Sequence, residues 1–375
     1  SSPDCVKPWD QKNFRIPGGA GAMTPGVAGL LVATNAMVHE KTADNLPAPQ
    51  AILSCLYEGP LLPMDLALRL ECKYMTRLMI EGTTRNMVRT LFVNKTRCEK
   101  LHRRPAGVPT TEFKKIGVVG AGLMGAGIAQ VAARAGIDVI LLDVDLAAAE
   151  RGKAGIAKRL GDSVAKGRLA ADKAEQTLAR ITPTADYGAL RGAQLVVEAV
   201  FEDRTAKARV IESSDAVLGA DAVLATNTST LPITGLAEYA KRAKNFIGLH
   251  FFSPVDRMPL VEVIRGKRTA DATLARALDF VQRLRKTPIV VNDSRGFFTS
   301  RFFGSYVNEG ISMVAEGVNP ALIENVARML GMPVGPLAVQ DEVGLDLAVS
   351  VTRQTRADLG EVGQPCTSHS IVEKL

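Results

Sequence analysis

Lys115-Ile-Gly-Val-Val-Gly-Ala-Gly-Leu-Met-Gly125 is the stretch on which the fold turns. Ile116–Val119 is a short apolar run that stops at glycine, and the residues beyond it keep a helical pattern to about Ala135. In a strand that ends in Gly-x-Gly-x-x-Gly and opens a helix, each glycine has a physical task. Gly120 permits the tight turn, Gly122 lets the backbone approach a pyrophosphate, and Gly125 lets the helix pack closely on the strand. Leu123 and Met124 lie at the helix N-terminus, which faces the anion. Glycine-rich turns are common, so a second feature is required: a carboxylate about 20 residues on, closing the next strand. Asp143 stands there, after the apolar run Ile137–Leu142, where it accepts hydrogen bonds from a ribose diol. A carboxylate at that point repels a 2′-phosphate, so the expected cofactor is NAD, not NADP.

Outward from this stretch, further strand candidates are Leu195–Val197, Val223–Ala225, Phe246–Leu249, Leu260–Ile264 and Ile289–Val291, separated by helical patterns. Strands alternating with helices predict an α/β fold, a Rossmann-type doubly wound sheet. After Asp293 long helical patterns take over, as in Phe302–Val314 and Leu322–Leu330, giving an all-helical C-terminal domain. Residues 1–50 carry Pro17-Gly18-Gly19, Pro25-Gly26, Pro47 and Pro49 and read as an extended linker. From Pro49 to about Leu101 the pattern is helical. The expected division is 1–110 for linker and linker helices, 111–292 for the dinucleotide-binding domain and 293–375 for the helical domain.

The 375 residues include 46% hydrophobic and 23% charged positions, the composition of a folded globular chain. No apolar run reaches the roughly 18 residues that span a bilayer. The net charge of +7 invites a nucleic-acid reading, but the excess is local. Arg85–Arg104 holds seven cations against the single acid Glu99, a net of +6, and leaves +1 for everything else. With no aromatic-and-basic recognition motif beside it, the segment reads as a solvated basic face on a connecting helix, and nucleic-acid binding is not expected. The five cysteines (Cys5, Cys55, Cys72, Cys98, Cys366) are widely spaced, which predicts free thiols in a reducing compartment and no zinc site.

Of the four histidines, His39 and His102 lie in the linker region and His369 near the C-terminus. His250 closes the run Phe246-Ile-Gly-Leu-His250, at the C-terminal strand edge where open α/β sheets bind ligands. Glu262 interrupts another strand, Leu260-Val-Glu262-Val-Ile264, and either faces solvent or is buried with a partner. A His–Glu pair beside a nicotinamide suits alcohol dehydrogenation. The imidazole takes the hydroxyl proton as hydride leaves, and the carboxylate fixes its tautomer.

Residues 114–370 closely resemble the L-3-hydroxyacyl-CoA dehydrogenase family, and most nearly the dehydrogenase part of multifunctional fatty-acid-oxidation α subunits. The resemblance rests on Lys115–Gly125, Val196-Val-Glu-Ala199, Asn227-Thr-Ser-Thr-Leu-Pro-Ile-Thr234, His250-Phe-Phe-Ser-Pro254 and Gly331-Met-Pro-Val-Gly-Pro336. Pro8-Trp9-Asp10-Gln11-Lys12 and Arg85-Asn-Met-Val-Arg-Thr90 resemble the linker that follows a hydratase module in those proteins. The hydratase core itself is not in this chain, whose start at Ser1 and end at Leu375 read as those of a slice of something longer.

The resemblance implies His250 as catalytic base, Glu262 as its orienting partner and Ser229 as a hydrogen-bond donor to the reacting substrate oxygen. It places Glu198, Lys207 and Asn227 along the cofactor. As isolated residues, Glu198 and Lys207 would pass for surface charges, and Ser229 for a helix N-cap after Val223–Ala225. In Gly296-Phe-Phe-Thr-Ser300-Arg301 a serine occupies the position of a family asparagine that helps position the keto group, and Ser253 likewise replaces an asparagine. The implied function is NAD-dependent oxidation of L-3-hydroxyacyl-CoA to 3-ketoacyl-CoA in β-oxidation, with an acyl-CoA substrate and no metal. The implied partners are a second copy of the chain and, in the longer protein, a thiolase. The implied location is the cytoplasm in bacteria, or mitochondria or peroxisomes in a eukaryote. Two alternatives differ in class. One is an inactive dinucleotide-binding scaffold, which has no need of Ser229, His250 and Glu262 together. The other is a β-hydroxyacid dehydrogenase of free acids, which uses a lysine base.

Overall fold

The computed structural model describes residues 6–21, 23–345, 348, 349 and 353. Cys5, Cys366, His369 and the terminal Glu373-Lys374-Leu375 lie outside the described residues. Contacts divide the chain into two units: Asn94–Phe303, and a second unit built from the segments before and after it.

The leading segment is helical: α1 (Pro25–Thr42), α2 (Pro47–Glu58), α3 (Met64–Ile80) and α4 (Gly82–Met87), then a π-helical run over Val88–Asn94 and α5 (Lys95–Glu99). The expectation of extended chain through residue 50 is corrected by α1. Pro25 and Pro47 each stand in the first turn of a helix, where the missing N–H is one the helix could not use and the fixed φ is already helical. These prolines start helices instead of breaking them. None of α1 to α5 contains a buried residue.

In the Asn94–Phe303 unit, strands β1 (Lys115–Val119), β2 (Asp138–Leu142), β3 (Ile181–Thr184), β4 (Leu195–Glu198), β5 (Val223–Thr226), β6 (Phe246–Phe251), β7 (Leu260–Arg265) and β8 (Thr287–Asn292) form one sheet. Their order is β3-β2-β1-β4-β5-β6-β7-β8, parallel throughout except for the antiparallel pair β6–β7. Strand order reverses its progression at β1 and β4, which opens a crevice beyond their C-terminal ends. The seven expected strands are all present. β3 was not anticipated: Ile181-Thr-Pro-Thr184 buries a single isoleucine and carries a proline, which an edge strand tolerates.

Helices α6 (Leu123–Arg134), α7 (Leu146–Ala165), α8 (Ala171–Ala179), α9 (Arg204–Val217), α10 (Ile233–Leu236) and α11 (Asp271–Arg283) follow the strands. One face of the sheet packs Val118, Leu141 and Val263 against Ile128 of α6, Ile156 of α7 and Leu278 of α11. The other packs Val119, Val196 and Leu224 against Ile211 of α9 and Ile233 of α10. Both faces are covered, as a parallel sheet requires.

The basic segment is exposed at Arg85, Arg89, Lys95, Arg97, Lys100 and Arg103, as a solvated face should be. Arg104 departs from that reading. Its Nε and Nη2 donate to the two carboxylate oxygens of buried Asp279 on α11, at 2.7 and 3.0 Å, and Nη1 donates to Val108 O at 2.8 Å. The Asp279 carboxylate holds the Arg104 guanidinium above its ordinary proton affinity against the opposing effect of burial.

The trailing helices are α12 (Thr299–Ala315), α13 (Pro320–Met329) and α14 (Pro336–Val343). Within the second unit, Asn45 Nδ2 donates to Met329 O at 2.6 Å, so segments far apart in sequence meet. Glu324 on α13 accepts the N–H of Leu337 at 2.9 Å and so caps α14. A Cβ at Gly335 would lie 2.2 Å from that carboxylate, which is the physical reason for glycine in Gly331–Pro336.

Candidate active site

The C-terminal ends of β1, β4, β5 and β6 carry the residues singled out in the sequence. Val119, Glu198 and Thr226 are register partners across β1, β4 and β5. One residue beyond β1, Gly120 takes φ +100°, and a Cβ there would meet Ala199 O at 2.6 Å. A Cβ on Gly125 would lie 1.8 Å from Gly120 O, so helix and turn touch through bare backbone. At Gly122, the residue before α6, an added Cβ would meet nothing within 4 Å, and no side chain caps the helix. Open space over uncapped helix amides at Gly122, Leu123 and Met124 fits a diphosphate. Asp143 accepts from Ala121 N at 2.6 Å and Val144 N at 2.7 Å, tying the end of β2 to the glycine turn.

Glu198 and Lys207 are not surface charges. Both side chains are fully buried, with Lys207 Nζ 2.8 Å from Glu198 Oε1 and 3.3 Å from Glu202 Oε2. Thr226 Oγ1 donates to Glu198 Oε2 at 2.6 Å. Burial opposes the charge on Lys207, but the two carboxylates outweigh it and raise its proton affinity above the usual lysine value. Burial also opposes the charge on Glu202, and Lys207 with Thr228 overcomes it, so this carboxyl sits below its ordinary range.

Glu202 escaped the sequence reading, yet it organises the loop after β5. Its Oε1 accepts from Thr228 Oγ1 at 2.5 Å, Ser229 N at 3.1 Å, Thr230 N at 3.2 Å and Thr230 Oγ1 at 3.1 Å. Ser229 is therefore held in a loop whose amides point at a carboxylate, and it is not a helix N-cap. The next helix, α10, starts at Ile233 with Pro232 before it. Asn227 Oδ1 accepts from Phe251 N at 2.8 Å and links the end of β5 to β6.

His250 and Glu262 face each other as register partners in the antiparallel pair β6–β7. His250 Nδ1 lies 2.8 Å from Glu262 Oε2, both side chains being buried. Glu262 also accepts from Phe298 N at 3.2 Å, Thr299 N at 2.9 Å and Thr299 Oγ1 at 2.7 Å. Burial alone would raise this carboxyl, but the bonds from His250 and Thr299 hold it below the ordinary carboxylate range. An ionised carboxylate only accepts hydrogen bonds, so Nδ1 carries a proton, and in the neutral ring Nε2 is then the nitrogen that keeps the free lone pair. Ser300, one residue into α12, donates to Ser229 O at 3.4 Å, so the two serines are brought together. The structure thus gathers Ser229, Ser300, His250 and Glu262 in one region of the Asn94–Phe303 unit, at the sheet edge that also carries the glycine turn and the Glu198–Lys207 pair.

Residues 115–294 match the family model described as 3-hydroxyacyl-CoA dehydrogenase, NAD binding domain, and residues 296–375 match the C-terminal domain of the same enzymes. The (S)-3-hydroxybutyryl-CoA dehydrogenase PaaH1 of Ralstonia eutropha is 34% identical. The match covers 70% of this chain and 93% of that one, with a TM-score of 0.66. This chain belongs to the 3-hydroxyacyl-CoA dehydrogenase family. FadB2 of M. tuberculosis is 35% identical over 70% of this chain and 95% of its own, also at a TM-score of 0.66. Among curated relatives, the fatty acid oxidation complex subunit alpha of Shewanella baltica (strain OS155) is 34% identical over 325 residues, 86% of this chain. The chain spans about half the length of that relative, 46%.

Within the family framework, Thr299 and Lys286 also went unread in the sequence. Lys286 precedes β8 and is buried, donating to Val255 O and Met258 O, each at 2.6 Å. Burial lowers its proton affinity below the usual lysine value. No single-sequence signal marks either residue, because a threonine near a helix start and a lysine after a helix end are ordinary surface choices. Among the described residues, no helix is long and apolar enough to cross a membrane.

Proposed function

We propose that this chain catalyses NAD-dependent oxidation of L-3-hydroxyacyl-CoA to 3-ketoacyl-CoA, with His250 as general base. The observation that carries the reading is the buried 2.8 Å contact between His250 Nδ1 and an ionised Glu262. Bound NAD supplies the nicotinamide that accepts hydride. His250 Nε2 removes the substrate hydroxyl proton, and Glu262 stabilises the imidazolium that results. Ser229 donates a hydrogen bond to the reacting oxygen, with Ser300 beside it in place of the family asparagine. A serine is shorter, so it reaches the substrate oxygen through water or leaves a roomier pocket there. The glycine turn at Gly120, Gly122 and Gly125 with Leu123 and Met124 holds the diphosphate, Asp143 the ribose, and Glu198, Lys207 and Asn227 border the nicotinamide half.

In the longer proteins it resembles, the chain is proposed to act in the cytoplasm of a bacterium, as a homodimer and beside a thiolase. The test is NADH oxidation with acetoacetyl-CoA. His250→Ala is expected to lower kcat by about 10²–10⁴-fold while NADH binding, read by fluorescence, stays nearly unchanged. Near-normal turnover by the variant would sink the mechanism.

A further inference from the structure

The Glu262 carboxylate receives more donors than orienting one imidazole requires. Oε1 accepts the N–H groups of Phe298 and Thr299, and Oε2 accepts both His250 Nδ1–H at 2.8 Å and Thr299 Oγ1–H at 2.7 Å. We propose that Thr299 is a positioning residue that sets the basicity of the His250–Glu262 pair, through a hydroxyl bond to the oxygen that also holds the imidazole. This rests on the reading of His250 as the base.

The physical argument concerns a shared acceptor. Each donor on Oε2 draws off carboxylate charge, leaving less to stabilise a proton on the imidazole. Thr299 therefore favours the neutral ring, the form able to accept a proton, down to lower pH. The hydroxyl is placed by the fold, because Thr299 is the first residue of α12 and its own N–H is pinned to Oε1 of the same carboxylate. The helix start thus grips both oxygens.

Other groups around the pair are accounted for element by element. β8 sets Ile289 beside Glu262, and the rings of Phe252 and Phe297 lie 4.4 and 6.2 Å from the imidazole. On β7, Arg265 pairs with Asp271 at 2.8 Å. In the β6–β7 turn stand Asp256 and Arg257, and Lys286 is bound to that turn's carbonyls. In the segment before α12, Asp293 accepts from Ile233 N and Thr234 N, with Arg295 following, and Arg301 lies on α12 itself. On α11, Asp279 is held by Arg104. The titratable group bonded to Glu262 is His250.

The experiment compares Thr299→Val, which keeps the shape and removes the donor, with Thr299→Ser, which keeps the hydroxyl. Thr299→Ala serves as a second donor-free variant should the valine fold poorly. The His250 ring is titrated by NMR in the cofactor-free protein, and the pH dependence of kcat/KM for hydroxyacyl oxidation is measured alongside. In the valine and alanine variants the His250 midpoint should rise by roughly half to one pH unit, with the acid limb of kcat/KM following, and serine should restore it. An unmoved midpoint, or a uniform loss of rate at every pH, would assign Thr299 to packing and overturn the proposal. A raised midpoint in a protein that turns over no hydroxyacyl-CoA would uphold the Thr299 effect and reject the dehydrogenase reading instead.

Discussion

Lys207 holds two carboxylates at once. Its ammonium is fully buried between Glu198 and Glu202, and Glu202 in turn holds the amides of Ser229 and Thr230. Removing the cation leaves carboxylates in the interior without their counter-charge, so Lys207→Met is expected to cost about 3–5 kcal/mol at neutral pH. The sign of the pH dependence follows from the two shifts. Glu202 titrates below its free value of 4.5 in the folded protein, so its contribution is present above that pH and is lost as the pH falls through the folded value. Lys207 titrates above 10.5, so its contribution is complete below that pH and is lost on the alkaline side. Urea unfolding at pH 7 and again below pH 4 should show the gap between wild type and variant narrowing in acid; a constant gap would mean that shape, not charge, matters at this site. His250 and Glu262 were legible in the sequence because a histidine ending an apolar run and a glutamate between valines break the pattern of their strands. Glu202 was not, because an acid just before a helix, next to the true N-cap Asp203, looks like any other.

The β6–β7 hairpin is the element that carries the pair, and its tip is fixed from two sides. Lys286 grips the carbonyls of Val255 and Met258, and Val255 packs against Gly127 of α6, where an added Cβ would come within 2.9 Å of it. One lysine thus steadies the turn that joins the strands of His250 and Glu262, where it packs on the helix that follows the glycine turn. Lys286→Met would leave two carbonyls without their donor, and the expected result is faster amide hydrogen exchange at Arg257 and Met258, whose N–H groups bond Pro254 O. A fall in kcat of about 10-fold with little change in KM is expected to accompany it. Unchanged exchange at those two amides would remove the basis for this role. Elements with strong periodicity were readable in advance, as the seven apolar strands show. β3 and α1 were not, since an edge strand needs only one buried side chain and a proline in a first helical turn resembles a linker proline.

Across the whole molecule, the composition pointed to a +7 chain whose charge is concentrated in one segment, and most of that segment is exposed. What composition could not show is that the last of its arginines is structural. Arg104 and Asp279 are 175 positions apart and have side-chain exposures of 17% and 3%. Asp279 also accepts from Thr111 N at 2.9 Å, and Gln282 Nε2 donates to Glu99 O at 3.0 Å. Residues 99–111 are thereby fastened to α11, on the sheet face opposite α9, before the chain enters β1. Arg104→Met should destabilise the protein by about 3–5 kcal/mol, because Asp279 would stay buried with a lone backbone donor. The double variant Arg104→Met with Asp279→Leu should recover much of that loss, since no buried charge then remains unpaired. Arg103→Met, one residue away on the exposed part of the segment, should change stability by no more than about 0.5 kcal/mol. Equal effects of the two single arginine variants in urea denaturation would show that the segment acts through its net charge and not through this one anchored side chain.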